Sequence, residues 1–193
     1  MQGADPTFVT LDEEEVFKGY VFSVGRVRFA DPAGEPFERF VLHHPGAVAV
    51  VAVDEHRHVT LVRQFRGPIG DYVLEIPAGT RDVTGEDPQT TARRELMEEA
   101  GLEATELRHL ITTYNSPGYS DQATVIYLAT GLREVQNAPA GIEENWMQRV
   151  SVDLDDLDGL VAAGTLVDAS TVLGLALARE ALKHPGSKGR DTA

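Results

Sequence analysis

The segment from Asp87 to Gly101 constrains the fold of this chain most, because it carries both the start and the stop signals of an α-helix. Asp87 can accept hydrogen bonds from the first free amides, and Pro88 suits the first helical position, where no amide proton is needed. Gly101 is the residue type that ends a helix in the left-handed conformation. The apolar positions in between recur every four residues and form one stripe, Ala92, Leu96 and Ala100. The sequence therefore predicts a helix over residues 87–100 that buries one face in a core.

The polar face of this helix carries three glutamates, Glu95, Glu98 and Glu99. At spacings of three and four residues their carboxylates project to one side, and like charges so placed destabilise a helix unless a cation lies between them. Oxygen-only ligands with no His or Cys nearby suit Mg²⁺ or Mn²⁺ better than zinc. A solvated acidic face is the commoner fate of such a set, so the spacing alone leaves both interpretations open.

The acidic balance of the chain restricts its partners. Its 193 residues include 31 Asp and Glu against 17 Lys and Arg, a formal net charge of −14. Such a surface disfavours nucleic acids and anionic membranes, and it repels a phosphate-bearing small molecule unless a metal or local arginines intervene. The absence of cysteine excludes disulfides, thiolate metal sites and cysteine nucleophiles.

The N-terminus does not resemble a targeting signal. Its first 17 residues contain five acidic residues and lack the basic-then-apolar layout of a signal peptide. No apolar run approaches the ~20 residues that a membrane-spanning helix needs. We therefore expect a cytoplasmic protein with no membrane partner.

Strand-like segments on both sides of the helix predict an α/β or α+β protein. Residues 20–42 alternate in hydrophobicity around the turn formers Asp31–Gly34 and predict two strands. The run Ala47–Val53 is entirely apolar, as expected for a strand covered on both faces. Further strands are predicted over residues 59–65, 72–77, 107–114, 123–129 and 146–152. Closing helices are predicted over residues 154–163 and 169–182.

The string from Gly79 to Leu102 resembles the Nudix box, G-x5-E-x7-R-E-U-x-E-E-x-G-U with U aliphatic. Every defined position from Glu86 onward matches, and the one departure is an extra residue between Gly79 and Glu86. The resemblance implies a Nudix α/β/α sandwich with a mixed β-sheet, preceded by a small N-terminal antiparallel β subdomain. It divides the chain into an N-terminal β segment (1–44) exchanged in a homodimer, a hydrolase domain (45–183) and a disordered tail (184–193).

Other stretches resemble the ADP-ribose pyrophosphatase branch of this family. They are residues 45–50, 61–66 and 75–79, and the turn Ser116-Pro117-Gly118, whose proline follows Leu102 by fifteen residues. The resemblance implies hydrolysis of the diphosphate of ADP-ribose to AMP and ribose 5-phosphate. Another nucleoside-diphosphate sugar or a dinucleotide is the alternative substrate. A non-catalytic nucleotide-sensing module is disfavoured, because such modules typically lose the box glutamates.

The same resemblance assigns residues to the metal and to the chemistry. The implied ligands of Mg²⁺ or Mn²⁺ are Glu95, Glu98, Glu99 and the carbonyl of Ala78. A glutamate from a late loop is expected to act as the base, with Glu98 and Glu99 as the other catalytic residues. The loop offers Glu143 and Glu144, and we favour Glu144. The structural residues of the box are Gly79, Glu86, Arg94 and Gly101.

The substrate side is less defined by the sequence. Arg63 and Arg66 are suited to the diphosphate, since a guanidinium binds phosphate through two hydrogen bonds, but a salt bridge within the protein is an equal alternative for each. The resemblance adds three more substrate-binding residues, Glu75, Pro117 and Gly118. Where many relatives carry a substrate-contacting glutamate this chain has Asp121-Gln122, which leaves its specificity on the ribose side open.

Overall fold

The computed structural model describes residues 5–136 and 144–184 of the chain. The chain divides into two compact units. The first consists of residues 1–46 and 114–123, and the second of residues 47–113 and 124–193. None of the described helices is long and apolar enough to cross a membrane.

The first unit is built on an antiparallel sheet of three strands in the order β1-β2-β3. The strands are β1 (Val9–Lys18), β2 (Ser23–Ala30) and β3 (Pro36–His43). The turn between β2 and β3 lies where the sequence predicts it, with the Asp31 carboxylate accepting hydrogen bonds from the amides of Ala33 and Glu35, each at 2.8 Å. This sheet is the antiparallel N-terminal element that the family resemblance implies.

Strand β1 was not predicted, because its run of acidic residues hides the alternation of an ordinary strand. Its acidic side chains instead pair with arginines across the sheet. Glu14 forms an ion pair with Arg26, and Asp12 lies 3.5 Å from the guanidinium of Arg28. Opposite charges on directly facing strands stabilise a sheet, which accounts for a strand with every residue exposed.

The second unit contains a sheet of seven strands in the order β10-β5-β4-β9-β8, with β6 added to β5 and β7 to β4. The sheet is mixed, since β4 runs parallel to β9 and antiparallel to β5 and β7. Its strands are β4 (Ala47–Val53), β5 (His58–Arg66), β6 (Asp71–Glu75), β7 (Ala78–Thr80), β8 (Leu102–Tyr114), β9 (Ala123–Glu134) and β10 (Gln148–Asp153).

Helices cover both faces of this sheet, which confirms the predicted α/β/α sandwich. On one face Val48 and Val50 pack with Leu96 of α1 (Pro88–Ala100). On the other, Val51 packs with Leu175 of α3 (Ala169–Lys183). Strand β4 is buried from Val48 to Val53, as its apolar run predicts.

The predicted helix over residues 154–163 is divided in the structure. A 3-10 turn over Leu154–Asp156 comes first, and α2 (Leu157–Ala162) follows. The Asp153 carboxylate accepts a hydrogen bond from the Asp155 amide at 2.9 Å and so caps the 3-10 turn. Strand β8 begins at Leu102, earlier than predicted, because Gly101 adopts a φ of 61° and turns the chain directly out of α1.

Helix α3 approaches the sheet closely at Gly174. A Cβ at this position would lie 2.9 Å from Cγ2 of Val51, 3.2 Å from Cδ1 of Ile76 and 3.3 Å from Cγ2 of Ile126. These neighbours belong to the buried core. For Val51 and Ile126 the contacting atom is a methyl group on the branched Cβ, and such side chains have few rotamers available.

We expect Gly174→Ala to destabilise the protein, because the overpacking cost of roughly 1–3 kcal/mol exceeds the ~1 kcal/mol gained in helix propensity. Gly159→Ala is a matched control, since Gly159 lies in α2 with nothing within 4 Å of the added carbon. Urea unfolding of both variants measures the difference. A Gly174→Ala protein as stable as the Gly159→Ala protein would contradict this packing.

Candidate active site

Strand β7 brings backbone atoms against the glutamates of α1. The Ala78 amide donates a hydrogen bond to Oε2 of Glu99 at 2.8 Å. The Glu95 carboxylate lies over Gly79, where a Cβ would fall 2.0 Å from the Glu95 carboxyl carbon. Any side chain at position 79 would displace that carboxylate, so the glycine of the box is required by this close approach.

Arg94 lies among the box carboxylates and offsets their repulsion. Its Nη1 is 2.8 Å from Oε1 of Glu95 and 3.1 Å from Oε2 of Glu98. Its Nη2 is 3.4 Å from both Glu86 and Asp82. One guanidinium therefore lies between two glutamates of the helix and two acids of the preceding loop.

The charge of Arg94 is held in place by these partners. Burial by itself lowers the pKa of Arg94, but the carboxylates of Glu95, Glu98 and Glu86 outweigh it and raise the pKa above its ordinary value. Glu86 is also fixed from the helix side, because it accepts a hydrogen bond from Oγ1 of Thr91 at 2.8 Å. The sequence-based pairing of Arg94 with Glu86 is thus present, as one contact of a larger network.

The oxygen ligands of this site fit a hard divalent cation. Glu95, Glu98 and Glu99 lie about one helical turn apart, with Glu99 bonded to the Ala78 backbone, and carboxylate and carbonyl oxygens are the ligands that such a cation prefers. In the described part of the chain no three acidic or His side chains converge on one metal position. The reason is visible in the contacts, since Arg94 draws Glu95 and Glu98 while the Ala78 amide engages Glu99.

The predicted substrate residues Arg66 and Glu75 bind each other. Nε of Arg66 lies 3.0 and 3.1 Å from the two oxygens of Glu75, and Nη2 makes a further contact. Gln64 donates to the same carboxylate at 3.2 Å. The hydrogen bonds that Arg66 donates to Glu75 raise the pKa of Arg66 against the opposing effect of burial, and the charges of Glu75, Glu99 and Asp168 add to this rise. The negative charge of Glu99 on α1 therefore reaches this pair.

Arg63 points away from that pair. Successive side chains of a strand alternate between faces, so Arg63 and Arg66 lie on opposite faces of β5. The Arg63 guanidinium sits 4.1 Å from the centre of the Tyr72 ring, a cation–π contact. The structure therefore does not bring the two arginines together.

The remaining predicted residues are Pro117, Gly118 and the two glutamates of the late loop. Pro117 and Gly118 form a turn in the first unit, closed by a hydrogen bond from the Tyr119 amide to the Ser116 carbonyl at 3.1 Å. Glu144 begins a short 3-10 turn, Glu144–Trp146, but its side chain and the whole of Glu143 lie outside the described residues. The choice between the two glutamates stays a prediction.

Two residues near the site were missed from the sequence. Oγ1 of Thr171 accepts a hydrogen bond from the Ile76 amide at 3.0 Å and donates one to Asp168 at 2.8 Å. Asp168 caps α3 by accepting from the Thr171 amide at 2.7 Å. An Asp just before a predicted helix is a recognisable capping signal. The hydrogen bond between Ile76 and Thr171 joins residues 95 positions apart, so no local pattern in the sequence reveals it.

The comparisons with known proteins agree with this geometry. ADP-ribose pyrophosphatase of Mycobacterium tuberculosis is 37% identical over 89% of this chain and 83% of its own, and that of Bacillus subtilis is 34% identical over 86% and 89%. The methanol dehydrogenase activator of Bacillus methanolicus is 34% identical over 91% of this chain and 95% of its own. A crystal structure of an ADP compounds hydrolase superposes with a TM-score of 0.80 at 26% identity, covering 95% of this chain and 97% of that one.

The family model of the NUDIX domain matches residues 42–172, well over half of the chain. That range includes the box, the seven-stranded sheet around it and most of the elements that position its glutamates. Each structural residue of the box has a visible role. Gly79 allows the close approach of Glu95, Glu86 and Arg94 form part of an ion-pair network, and Gly101 ends the helix. This chain belongs to the Nudix family.

Proposed function

We propose that this protein hydrolyses the diphosphate bond of ADP-ribose, giving AMP and ribose 5-phosphate, with Mg²⁺ or Mn²⁺ as cofactor. The observation that carries the proposal is the set of three carboxylates on α1, of which Glu99 and Glu95 lie against the Ala78–Gly79 backbone and Glu98 shares the Arg94 guanidinium with Glu95. An acidic protein with a net charge of −14 repels a diphosphate, so these carboxylates suit a substrate that arrives with a divalent cation.

The side chains of the site have separable roles in this proposal. Glu95, Glu98 and Glu99, with the Ala78 carbonyl, would hold the cation. A bound divalent cation neutralises diphosphate charge and lowers the pKa of a coordinated water. Arg94 keeps Glu95 and Glu98 on one side of the helix before any cation is present. We assign the base that removes a proton from the attacking water to Glu144 first and to Glu98 second.

The substrate assignment rests on the relatives and on one sequence feature. The relatives from M. tuberculosis and B. subtilis are ADP-ribose pyrophosphatases, and the solved neighbour hydrolyses ADP compounds. The Ser116-Pro117-Gly118 turn has the position expected of that branch. We assign substrate contacts to Pro117, Gly118 and the Arg66–Glu75 pair, whereas the exposed Arg63 has its guanidinium on Tyr72.

We also propose that the chain is a cytoplasmic homodimer formed through its first unit, with no nucleic-acid partner. The motive is the number of apolar side chains that the N-terminal sheet and the residues next to it leave exposed, since clusters of this kind mark interfaces. They are Phe8, Val9, Leu11, Val16, Phe17 and Phe40.

Metal dependence is tested by Glu99→Gln, which keeps the size of the side chain and an oxygen that can accept from the Ala78 amide. We expect kcat to fall at least ~100-fold, because loss of even an outer-shell partner of a metal costs 10–100-fold. Glu106→Gln is the control, since Glu106 is exposed on β8. Near-wild-type turnover of a folded Glu99→Gln protein would show that Glu99 is not a ligand.

The substrate is tested by a panel of ADP-ribose, GDP-mannose, NADH and a nucleoside triphosphate. Hydrolysis with Mg²⁺ or Mn²⁺ is followed by chromatographic separation of the products, which are AMP and ribose 5-phosphate for ADP-ribose, with a chelator-treated reaction as the blank. We expect ADP-ribose to have the highest kcat/KM. A clear preference for another member of the panel would show that ADP-ribose is not the preferred substrate. The assignment to the Nudix family would still stand.

The dimer is tested by sedimentation of the whole chain, whose monomer mass is 21.0 kDa. We expect twice that mass, and we expect removal of residues 1–44 to abolish dimerisation and substrate binding together. A shortened protein that is monomeric and hydrolyses ADP-ribose normally would show that the N-terminal strands are neither interface nor pocket.

A further inference from the structure

The Ser116–Gly118 turn belongs to a segment that is fastened to the end of β3. The Leu42 amide donates to the Tyr119 carbonyl at 2.8 Å, and the Leu42 carbonyl accepts from Oγ of Ser120 at 3.1 Å and from the Asp121 amide at 3.2 Å. Oδ1 of Asp121 then accepts from the His44 amide at 2.9 Å. Asp121 is therefore the last and most strongly bound residue of this attachment.

The second oxygen of Asp121 binds the imidazole of His43. Nδ1 of His43 lies 2.6 Å from Oδ2 of Asp121, and Nε2 lies 2.8 Å from Oε1 of Glu13 on β1. Gly25 of β2 makes room for this arrangement, because a Cβ there would lie 2.3 Å from Oε1 of Glu13 and 3.1 Å from Nε2 of His43. Three separate parts of the first unit thus meet at one ring.

This arrangement requires a charged imidazole. A carboxylate can only accept hydrogen bonds, so each ring nitrogen beside one needs its own proton. Nε2 is shielded from solvent and lies 2.8 Å from Oε1 of Glu13, so a bare lone pair on an unprotonated Nε2 would face the negative oxygen directly. The neutral ring keeps at most one of its two contacts, with Asp121 or with Glu13.

The neighbouring groups favour the same state. The hydrogen bond to Asp121 raises the pKa of His43 above its ordinary 6.5, against burial, with Glu13 adding to the effect. Burial raises the pKa of Asp121, but the hydrogen bonds from His43 and from the His44 amide, together with the charge of His43, lower the pKa of Asp121 below its ordinary value. Burial lowers the pKa of the adjacent His44, which is therefore the neutral histidine of the two. The cavity beside His43 and Asp121 is also bordered by Glu15 and Lys18. Gly25, which faces the His43 ring from β2, carries no charge.

We propose that His43, in its charged form, is a positioning residue that holds the Ser116–Gly118 turn for substrate through Asp121. The inference rests on the proposed function, in which Pro117 and Gly118 contact ADP-ribose. A raised pKa in the folded protein means that the interaction is complete at pH below the ordinary value and is lost as pH rises through the raised value. Substrate binding should therefore weaken on the alkaline side, whereas the chemistry at α1 should not follow His43.

The test compares KM and kcat for ADP-ribose at saturating Mg²⁺ from about pH 6 to pH 9. His43→Asn places an amide near Nδ1 and keeps a donor for Asp121 without a titrating charge. His56→Asn is the matched control, because His56 is 73% exposed in the turn between β4 and β5. Effects of pH on the substrate and the metal are common to all variants and cancel in the ratio of their KM values.

We expect the KM of the wild type to rise about three- to tenfold relative to His43→Asn across this range, the effect of losing one hydrogen bond of ordinary strength. The ratio of wild type to His56→Asn should stay constant. Glu13→Gln should move the rise in KM to lower pH, because it removes one of the two charges that favour the imidazolium. NMR titration of the His43 ring should show the same displacement in its pKa.

A wild-type protein with no ADP-ribose hydrolysis at any pH overturns the proposed function, and this inference with it. Hydrolysis with the same KM profile in wild type and His43→Asn overturns the role of His43 alone. So does a Glu13→Gln profile that does not move while the NMR titration shows a lower pKa of His43. A merely structural role for His43 would weaken the variants equally at every pH.

Discussion

The approach of the α1 glutamates to the β7 backbone is the constraint on which the rest of the site depends. Three carboxylates on one helical turn repel one another, and a helix tolerates them only where positive charge is supplied. Here Arg94 supplies it on one side, and the Ala78 amide supplies a partial positive charge on the other. The backbone comes near enough because residue 79 has no side chain.

The strand that makes this approach is short and is held from several directions. Residues of β7 pair with β4, and the Val50 amide donates to the Pro77 carbonyl at 2.8 Å. From the opposite face of the sheet, the hydroxyl of Thr171 at the start of α3 accepts a hydrogen bond from the Ile76 amide. A buried amide without a partner is costly, so this hydroxyl stabilises the backbone just before the site. The two helices thus fix one stretch of chain from the two sides of the sheet.

The sequence was most informative where the signals are local. Asp87, Pro88 and Gly101 predicted both caps of α1 and its last residue, because caps act on their immediate neighbours. The buried central strand was predicted from the apolar run of β4, and the α/β/α sandwich was predicted from the resemblance to the Nudix box. The Nudix resemblance also assigned the three glutamates as metal ligands, and this assignment stays a prediction.

The features that escaped prediction all depend on partners distant in sequence. Strand β1 looks like a solvated acidic run until β2 places arginines opposite it. Thr171 looks like a helix residue until the fold brings Ile76 to it.

The loop between Gly79 and Glu86 has one residue more than the box pattern, and the structure explains why this is tolerated. Its two ends are fixed independently, Gly79 by the Glu95 carboxylate and Glu86 by Thr91 and Arg94. Between them Gly85 has a φ of 80° and nothing within 4 Å of the position of an added carbon. The length of the loop can therefore vary around Gly85 while Gly79, Glu86 and the ion pair of Asp82 with Arg94 keep their places. An inserted residue or a grafted label is best accommodated at Gly85, on the side of the loop away from the Asp82 contact.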